Sequence, residues 1–417
     1  MRSVAVIGAS LAGVRAAETL RQEGFDGTVT VVGDEAHRPY DRPPLSKQLL
    51  AGEWEPDRIA LPAGGGMDID WRLGCRATAL DLQARTVVLS DGSALGFDGL
   101  VIATGAAART LPGAGATAGA PGAEAGVHTL RTLDDCLTLR ADLDAMPSRV
   151  VVVGAGFIGA EVAATCRGRG LAVTMVEPLP VPLVRVLGER IGGVCGDLHR
   201  DHGVEVRLGV GVDGLQCDGR GRVRAVRLAD GSEVAADVVV VGIGVVPNTA
   251  WLQGSGLMVG DGVVCDETCL AAPGVVAAGD VALWPNPRFG ESMRVEHWDN
   301  ALAQGAHAAR RLLADWGGGN GAPTGAGAEP FAPVPWFWSD QYDCKFQLAG
   351  RCRPDDEVRV VDGTLDQRRF VALYGRGGRV LAALGCNRPA VVMRFRRLIA
   401  DGLAWDDPRA AAATGAG

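Results

Sequence analysis

An internal repeat leaves this chain few ways to fold. Residues 4–34, VAVIGASLAGVRAAETLRQEGFDGTVTVVGD, resemble residues 150–177, VVVVGAGFIGAEVAATCRGRGLAVTMVE, at a displacement of 146 positions. In each copy a short β-branched run reads as a strand, closely spaced glycines as a tight turn, apolar residues at helical spacing as a helix, and a second β-branched run as another strand. Strands joined through a helix lie parallel, and a parallel sheet has to bury both faces under helices. A displacement this long is that of a duplicated domain, not of a solenoid. The 417 residues suffice for two or three domains, each with its own core.

The turn of the second copy is Gly154-x-Gly156-x-x-Gly159, and an acid, Glu177, ends the next strand 23 residues after Gly154. This is a complete dinucleotide fingerprint. Gly154 permits the tight turn, Gly156 lets backbone approach a pyrophosphate, Gly159 allows close helix packing, and the helix N-terminus offers N–H groups and positive potential. Glu177 can accept hydrogen bonds from a ribose 2′-hydroxyl and repels a 2′-phosphate, and Pro178, not a basic residue, follows it, so NADH is favoured over NADPH. The first copy reads Gly8-x-Ser10-x-x-Gly13, with Ser10 hindering backbone approach only modestly and Asp34 or Glu35 as the ribose acid. Two Rossmann-like units, and hence two nucleotides, are expected.

Bulk properties exclude several other functions. The longest apolar stretch, around Val238 to Val246, is half of what a membrane span needs. The first apolar run belongs to a nucleotide-binding motif, so its removal as a secretory signal would destroy the fold, and a cytoplasmic protein is expected. A net charge of −8 argues against a nucleic-acid partner. Residues 331–417 nevertheless hold 13 Lys and Arg against 10 Asp and Glu. Arg394, Arg396 and Arg397 there could meet an acidic partner or form a solvated helix face, and Arg310 with Arg311 is an alternative patch. The ten cysteines include no CxxC pair, so neither a metal site nor a dithiol centre is expected, Cys265 and Cys269 included. Most should be small buried residues.

Gly, Ala and Pro accumulate over 105–126 and 317–330, which read as connections. Beyond the second, PWFWSDQYDCKFQLAG, DEVRVV, RRFVALY and RVLAALGC read as short alternating strands, closed by a helix from about Arg388 to Asp401. A small third α+β domain follows.

Together with the two glycine turns, HRPYDRPPLSK, LVIATG, VVVVGIGVVPN, VVAAGD and EHWDNA resemble the flavoprotein reductases with two nucleotide domains, whose fold is glutathione-reductase-like. YDRPPLSK, EHWDNA and PWFWSDQY are similar to the FAD-dependent NADH:ferredoxin reductases of bacterial haem-monooxygenase and aromatic-ring dioxygenase systems, with a match from Val4 to about Asn387. The resemblance implies an FAD-binding domain of residues 1–112 and 246–322, an NADH-binding domain of residues 113–245 and a C-terminal domain of residues 331–417 covering the flavin. It implies FAD contacts at Ala12, Asp34, Lys47, Ala77, Arg131, Asp280 and Trp298, with Arg42 serving the pyrophosphate. Thr104 and Gly105 of LVIATG and Gly244 of VVVVGIGVVPN join the cofactor-binding set. Lys47 and Glu161 are the implied catalytic pair.

Each role has a plainer counterpart. Glu161 could simply answer the helix macrodipole, Lys47 could be a surface residue, and Trp298 and the Trp336–Phe337–Trp338 cluster could be core aromatics. Composition favours a role for Lys47: among 39 Arg there are two Lys, 47 and 345, and a compact ammonium fits beside a flavin where a planar fork may not. Disulfide reductases of the superfamily keep a cysteine pair near the flavin, and oxygen-reducing relatives one cysteine in the same loop. Residues 37–52 hold none. Hydride taken up from NADH then has no thiol to go to, and single-electron exit to an external acceptor remains. The resemblance implies that this acceptor is a small ferredoxin, of the two-iron, two-sulfur type, that feeds an oxygenase. A diaphorase or NADH oxidase, and an NADH-sensing interaction protein, are the alternatives. The sequence sets no oligomeric state.

Overall fold

The computed structural model describes residues 1–62, 66–111, 125–314 and 329–414, which form two compact units. One comprises Met1–Asp41, Ala60–Ala107 and Val246–Pro335, the other Arg42–Ile59, Ala108–Val245 and Trp336–Gly417. Three segments were expected from sequence. Here Arg42–Ile59 and the C-terminal segment share a unit with the second nucleotide-binding segment. The connections expected over 105–126 and 317–330 lie largely outside the described residues.

In the first unit six strands run in the order Leu270–Ala272, Val275–Ala277, Gly99–Ile102, Ser3–Ile7, Thr28–Gly33, Asp70–Leu73, and all neighbours but the first pair are parallel. Val4, Ala5, Val6 and Ile7 on the central strand are at most 2% exposed, because the sheet is covered on both faces. The helix Leu11–Gln22 packs on the helix Trp298–Ala314. Small residues allow that approach: a Cβ on Gly305 would stand 2.4 Å from the Ala12 carbonyl oxygen.

The second unit carries a five-stranded parallel sheet in the order Glu205–Leu208, Val173–Glu177, Val150–Val153, Val238–Val241, Val127–His128. Its C-terminal part is an antiparallel sheet in the order Trp336–Gln341, Cys344–Gly350, Arg379–Cys386, Arg369–Arg376, Glu357–Thr364, followed by the helix Pro389–Ala400. The stretch PWFWSDQYDCKFQLAG supplies two of these strands, paired Gln341 to Cys344 around a tight turn at Tyr342 and Asp343. The helix Val184–Asp201, kinked at Gly188, places Leu187, Ile191, Cys195 and Leu198 at helical spacing on one stripe. That stripe joins Phe346, Phe370, Tyr374 and Leu384 of the antiparallel sheet in one core.

All ten cysteines are free thiols, and nine are buried, with Cys217 exposed. Burial pushes the thiols of Cys136, Cys166, Cys195, Cys265 and Cys352 up to about 12, as inert apolar packing requires. Among the described residues no helix is long and apolar enough to cross a membrane.

Candidate functional site

In the second unit the strand Val150–Val153 runs into the glycine turn and the helix Phe157–Gly168. A Cβ on Gly154 would stand 2.4 Å from the Gly242 carbonyl oxygen, and one on Gly159 would stand 2.1 Å from that of Gly154. Backbone packing therefore forces both to be glycine. Gly156 differs, since a Cβ there would meet nothing nearer than 3.9 Å and its backbone is extended. Glycine at 156 leaves open space at a helix N-terminus, the place where a dinucleotide pyrophosphate fits. Glu177 accepts from the Ala155 N–H at 2.8 Å and the Leu179 N–H at 3.1 Å, so its carboxylate also ties down the turn. Two carboxylate oxygens can take further donors, and a ribose hydroxyl remains compatible with these bonds. Gly244, with φ of +98°, accepts from the Arg109 N–H at 2.9 Å.

The same unit brings Lys47 and Glu161 together. Pro43 and Pro44 open a 3₁₀ turn over Pro43–Ser46, and Lys47 follows with non-helical backbone before the short helix Gln48–Ala51. Three bonds to its carbonyl oxygens help tie this stretch to its surroundings: Thr165 Oγ1 to the Ser46 carbonyl (2.8 Å), Arg169 Nη1 to that of Leu50 (2.8 Å) and Cys136 Sγ to that of Leu45 (3.2 Å). Lys47 Nζ then lies 2.6 Å from Glu161 Oε2 and donates to the Pro43 carbonyl at 3.0 Å. Their side chains are 12% and 3% exposed, so water screens the pair little. Ser46 Oγ donates to the same Glu161 oxygen at 2.6 Å, and Ser339 Oγ donates to Oε1 at 2.7 Å. Arg42 Nη1 donates to the Arg131 carbonyl at 2.6 Å. The backbone at Arg131 is itself fixed by a capping box, in which Asp135 accepts from the Arg131 and Thr132 N–H groups and Thr132 Oγ1 accepts from the Asp135 N–H.

The glycine turn of the first unit repeats the second. A Cβ on Gly8 would fall 2.0 Å from the Ala103 carbonyl oxygen and one on Gly13 1.8 Å from that of Gly8. Ser10 stands at the helix N-cap in extended conformation, and Ala12 is buried against Gly279 and Gly305. The turn thus suits a nucleotide pyrophosphate in the same way. Beyond the strand Thr28–Gly33, Asp34 Oδ1 is 3.2 Å from Arg76 Nε, while Glu35 accepts from the Tyr40 hydroxyl. Ala77 begins the strand Ala77–Asp81. Thr104 Oγ1 donates to the Asn248 carbonyl (2.8 Å), Asn248 Nδ2 donates to that of Thr104 (2.9 Å), and the Asn248 N–H donates to that of Gly105 (2.9 Å). Asp280 sits in the 3₁₀ turn Gly279–Val281, and Trp298 Nε1 donates to Asp41 Oδ1 at 2.9 Å.

Two expectations need correction. Glu161 is the fifth residue of its helix, not part of the first turn, so the macrodipole explains little of its presence, whereas three side-chain donors explain its burial. Arg311 is 5% exposed and bonded through Nε to Thr268 Oγ1, and Arg310 is paired with Glu23 at 2.7 Å, so this pair offers no free basic patch. Ser46, Ser339, Asp41 and Asn248 were missed although all stand inside motifs quoted above. Each bonds a residue named from the sequence, Glu161, Trp298 or Thr104, and spacing alone does not reveal such tertiary partners.

Residues 2–305 match the model of the family described as pyridine nucleotide-disulphide oxidoreductase, and residues 336–415 match the reductase C-terminal family. A 5,5'-dehydrodivanillate O-demethylase ferredoxin reductase subunit from Sphingobium sp. is 39% identical, over 97% of this chain and 95% of the relative. Putidaredoxin reductase CamA from Pseudomonas putida is 36% identical, over 96% and 92%. The crystal structure of the covalent putidaredoxin reductase–putidaredoxin complex superposes with a TM-score of 0.87 at 35% identity, over 96% of this chain and 93% of the other. With its paired glycine turns, its C-terminal antiparallel sheet and these matches, the chain belongs to the pyridine nucleotide-disulphide oxidoreductase family, in the group of ferredoxin reductase components.

Proposed function

We propose that this protein is an FAD-dependent NADH:ferredoxin reductase that delivers electrons singly to a small two-iron, two-sulfur ferredoxin serving an oxygenase in the cytoplasm. The observation that carries this reading is the buried Lys47–Glu161 pair, whose lysine stands in a stretch, residues 37–52, that holds no cysteine. A disulfide reductase would need a thiol there to receive the electrons. Lys47 instead presents a cation, held by Glu161 and the Pro43 carbonyl, suited to stabilising negative charge as it develops.

The remaining roles follow the chemistry of each residue. Gly8, Ser10, Ala12 and Gly13 receive the FAD pyrophosphate, with Asp34 and Glu35 at its ribose and Ala77, Thr104, Gly105, Asp280 and Trp298 along the rest of the cofactor. Arg42, Lys47 and Arg131 supply positive charge to the same cofactor. Gly154, Gly156, Gly159, Glu177 and Gly244 hold NADH, with the first helical N–H groups of Phe157–Gly168 directed at its phosphates. FAD, when bound, accepts two electrons and gives them up one at a time. Residues 1–112 with 246–322, residues 113–245 and residues 331–417 are proposed as the FAD, NADH and C-terminal functional segments.

Anaerobic rapid mixing tests the proposal. NADH should bleach the yellow protein much faster than NADPH does, and an oxidised two-iron ferredoxin should then restore the colour. A reduced protein indifferent to ferredoxin and reoxidised only by quinone or oxygen would show a diaphorase instead.

A further inference from the structure

Given that Lys47 and Glu161 serve flavin reduction as proposed above, we infer that Ser339 is a positioning residue for Glu161, and that Gln341 sets the direction of the Ser339 hydroxyl. The strand Trp336–Gln341 presents alternate side chains to opposite faces, which places Phe337, Ser339 and Gln341 together. On the helix Phe157–Gly168, Phe157 and Glu161 are four residues apart and share a face. The two repeats match in length, about 6 Å along the helix for four residues and about 6.6 Å along the strand for two. Phe337 meets Phe157 edge to face with centroids 4.6 Å apart, and Ser339 meets Glu161 one step further on. The aromatic contact thereby sets the register at which the hydroxyl reaches the carboxylate.

The hydrogen bonds have a defined direction. Ser339 and Gln341 are fully buried, and Gln341 Nε2 donates to Ser339 Oγ at 3.2 Å. A hydroxyl has one proton and accepts through its lone pairs, so an N–H arriving from Gln341 leaves the Ser339 proton for Glu161 Oε1 at 2.7 Å. Lys47 and Ser46 both bond the other oxygen, Oε2. Ser339 therefore anchors Oε1, and with Oε2 held by Lys47 and Ser46 it stops the carboxylate from turning. The residue lies in the segment that matches the reductase C-terminal family, so this segment would act on the catalytic pair as well as cover a cofactor.

The test uses flavin-loaded holoenzyme of the native chain, Ser339→Ala, Gln341→Met, Glu161→Gln and the Ser339→Ala, Glu161→Gln double variant. Anaerobic flavin reduction is measured at saturating NADH, NAD⁺ affinity by calorimetry, and unfolding by urea. Loss of a hydrogen bond to a charged group should slow reduction by about tenfold in Ser339→Ala, and by less in Gln341→Met. NAD⁺ affinity should change by less than about twofold, since neither residue is proposed to bind the nucleotide. The decisive comparison is the double variant, where Ser339→Ala should add no further slowing and where the two changes should couple in urea stability as contacting residues do. Native-like reduction by Ser339→Ala, or the same slowing with and without Glu161, would overturn the inference. Should Ser339→Ala lose its flavin, Gln341→Met with and without Glu161→Gln makes the same comparison. A native chain that NADH does not reduce sinks the proposed function instead, and the urea coupling then still reports whether Ser339 anchors Glu161.

Discussion

Lys47 is one of two lysines in a chain with 39 arginines, and its three nearest acceptors explain why a compact ammonium stands there. Nζ reaches Glu161 Oε2 at 2.6 Å, the Pro43 carbonyl at 3.0 Å and Ser46 Oγ at 3.3 Å, three directions that suit three rotatable N–H bonds better than a flat fork. Lys47→Ala removes the cation from a buried pair and should cost about 3 kcal/mol in urea unfolding. It should also slow flavin reduction by NADH, and Lys47→Arg should restore only part of either loss. Full flavin occupancy with native stability and rate in Lys47→Ala would leave the lysine without a task. His199 is a second buried titratable residue, fully enclosed, with Nδ1 2.9 Å from the Tyr342 hydroxyl. Burial pushes its pKa from 6.5 down to about 4, assisted by His202 and opposed by Gln341. The unfolded chain thus takes up a proton near pH 6.5 that the folded chain refuses until about pH 4. Its contribution is intact above pH 6.5 and is lost as pH falls through this window, by about 3 kcal/mol at the lower end. Urea midpoints between pH 7.5 and 5 should fall less steeply in His199→Gln, and an unchanged slope would mean that His199 titrates normally.

At the scale of the element, the glycine turn separates what the fold requires from what a ligand requires. Gly159→Ala drives a methyl to 2.1 Å from the Gly154 carbonyl oxygen, so the strand–turn–helix itself must shift, at a cost of about 2 kcal/mol. Gly156→Ala meets only open space and an extended backbone, so its unfolding midpoint should stay native, yet its Kd for NADH should rise by about tenfold or more because the methyl would take the place proposed for the pyrophosphate. Calorimetry and urea unfolding of the two variants check both halves. The same contrast explains how much could be read beforehand. Both turns, their flanking strands and the helix Pro389–Ala400 are local patterns, in which every residue that matters lies within a few positions. Lys47 and Glu161 are 114 positions apart and Ser339 and Glu161 are 178 apart, so no periodicity links them. The first pair was available only through resemblance, and the second became visible once the strand and helix lay side by side. Arg311 shows the opposite limit: its charge suggested a surface, but its place on the inner stripe of the helix Trp298–Ala314 buries it.

Over the whole molecule the charge is divided. The net charge is −8, yet residues 331–417 carry 13 Lys and Arg against 10 Asp and Glu. With Arg310 paired and Arg311 buried, the basic surface that remains from the sequence reading is the helix Pro389–Ala400, where Arg394 and Arg397 are exposed and Arg396 is half-buried. Arg394 also donates through Nη1 to the Ala413 carbonyl at 3.1 Å, which holds one guanidinium in place on the surface. An acidic ferredoxin, the kind of partner the resemblance implies, is repelled by the molecule as a whole and attracted by this patch. Local attraction governs the encounter only while its range exceeds the distance to the docking face, and that range falls from about 10 Å at 0.1 M salt to about 3 Å at 1 M. The rate at which reduced protein passes electrons to an acidic two-iron ferredoxin should therefore drop by about tenfold between 0.05 and 0.5 M sodium chloride. Flavin reduction by NADH, which depends on short-range contacts, should change little over the same range. Arg394→Gln with Arg397→Gln should lower the ferredoxin rate at low salt and flatten its salt dependence, while leaving the NADH step untouched. A ferredoxin rate that is flat or rises with salt in the native chain would rule out steering by this helix and point to docking through apolar contact, with the exposed Met393 on the same helix as its nearest candidate.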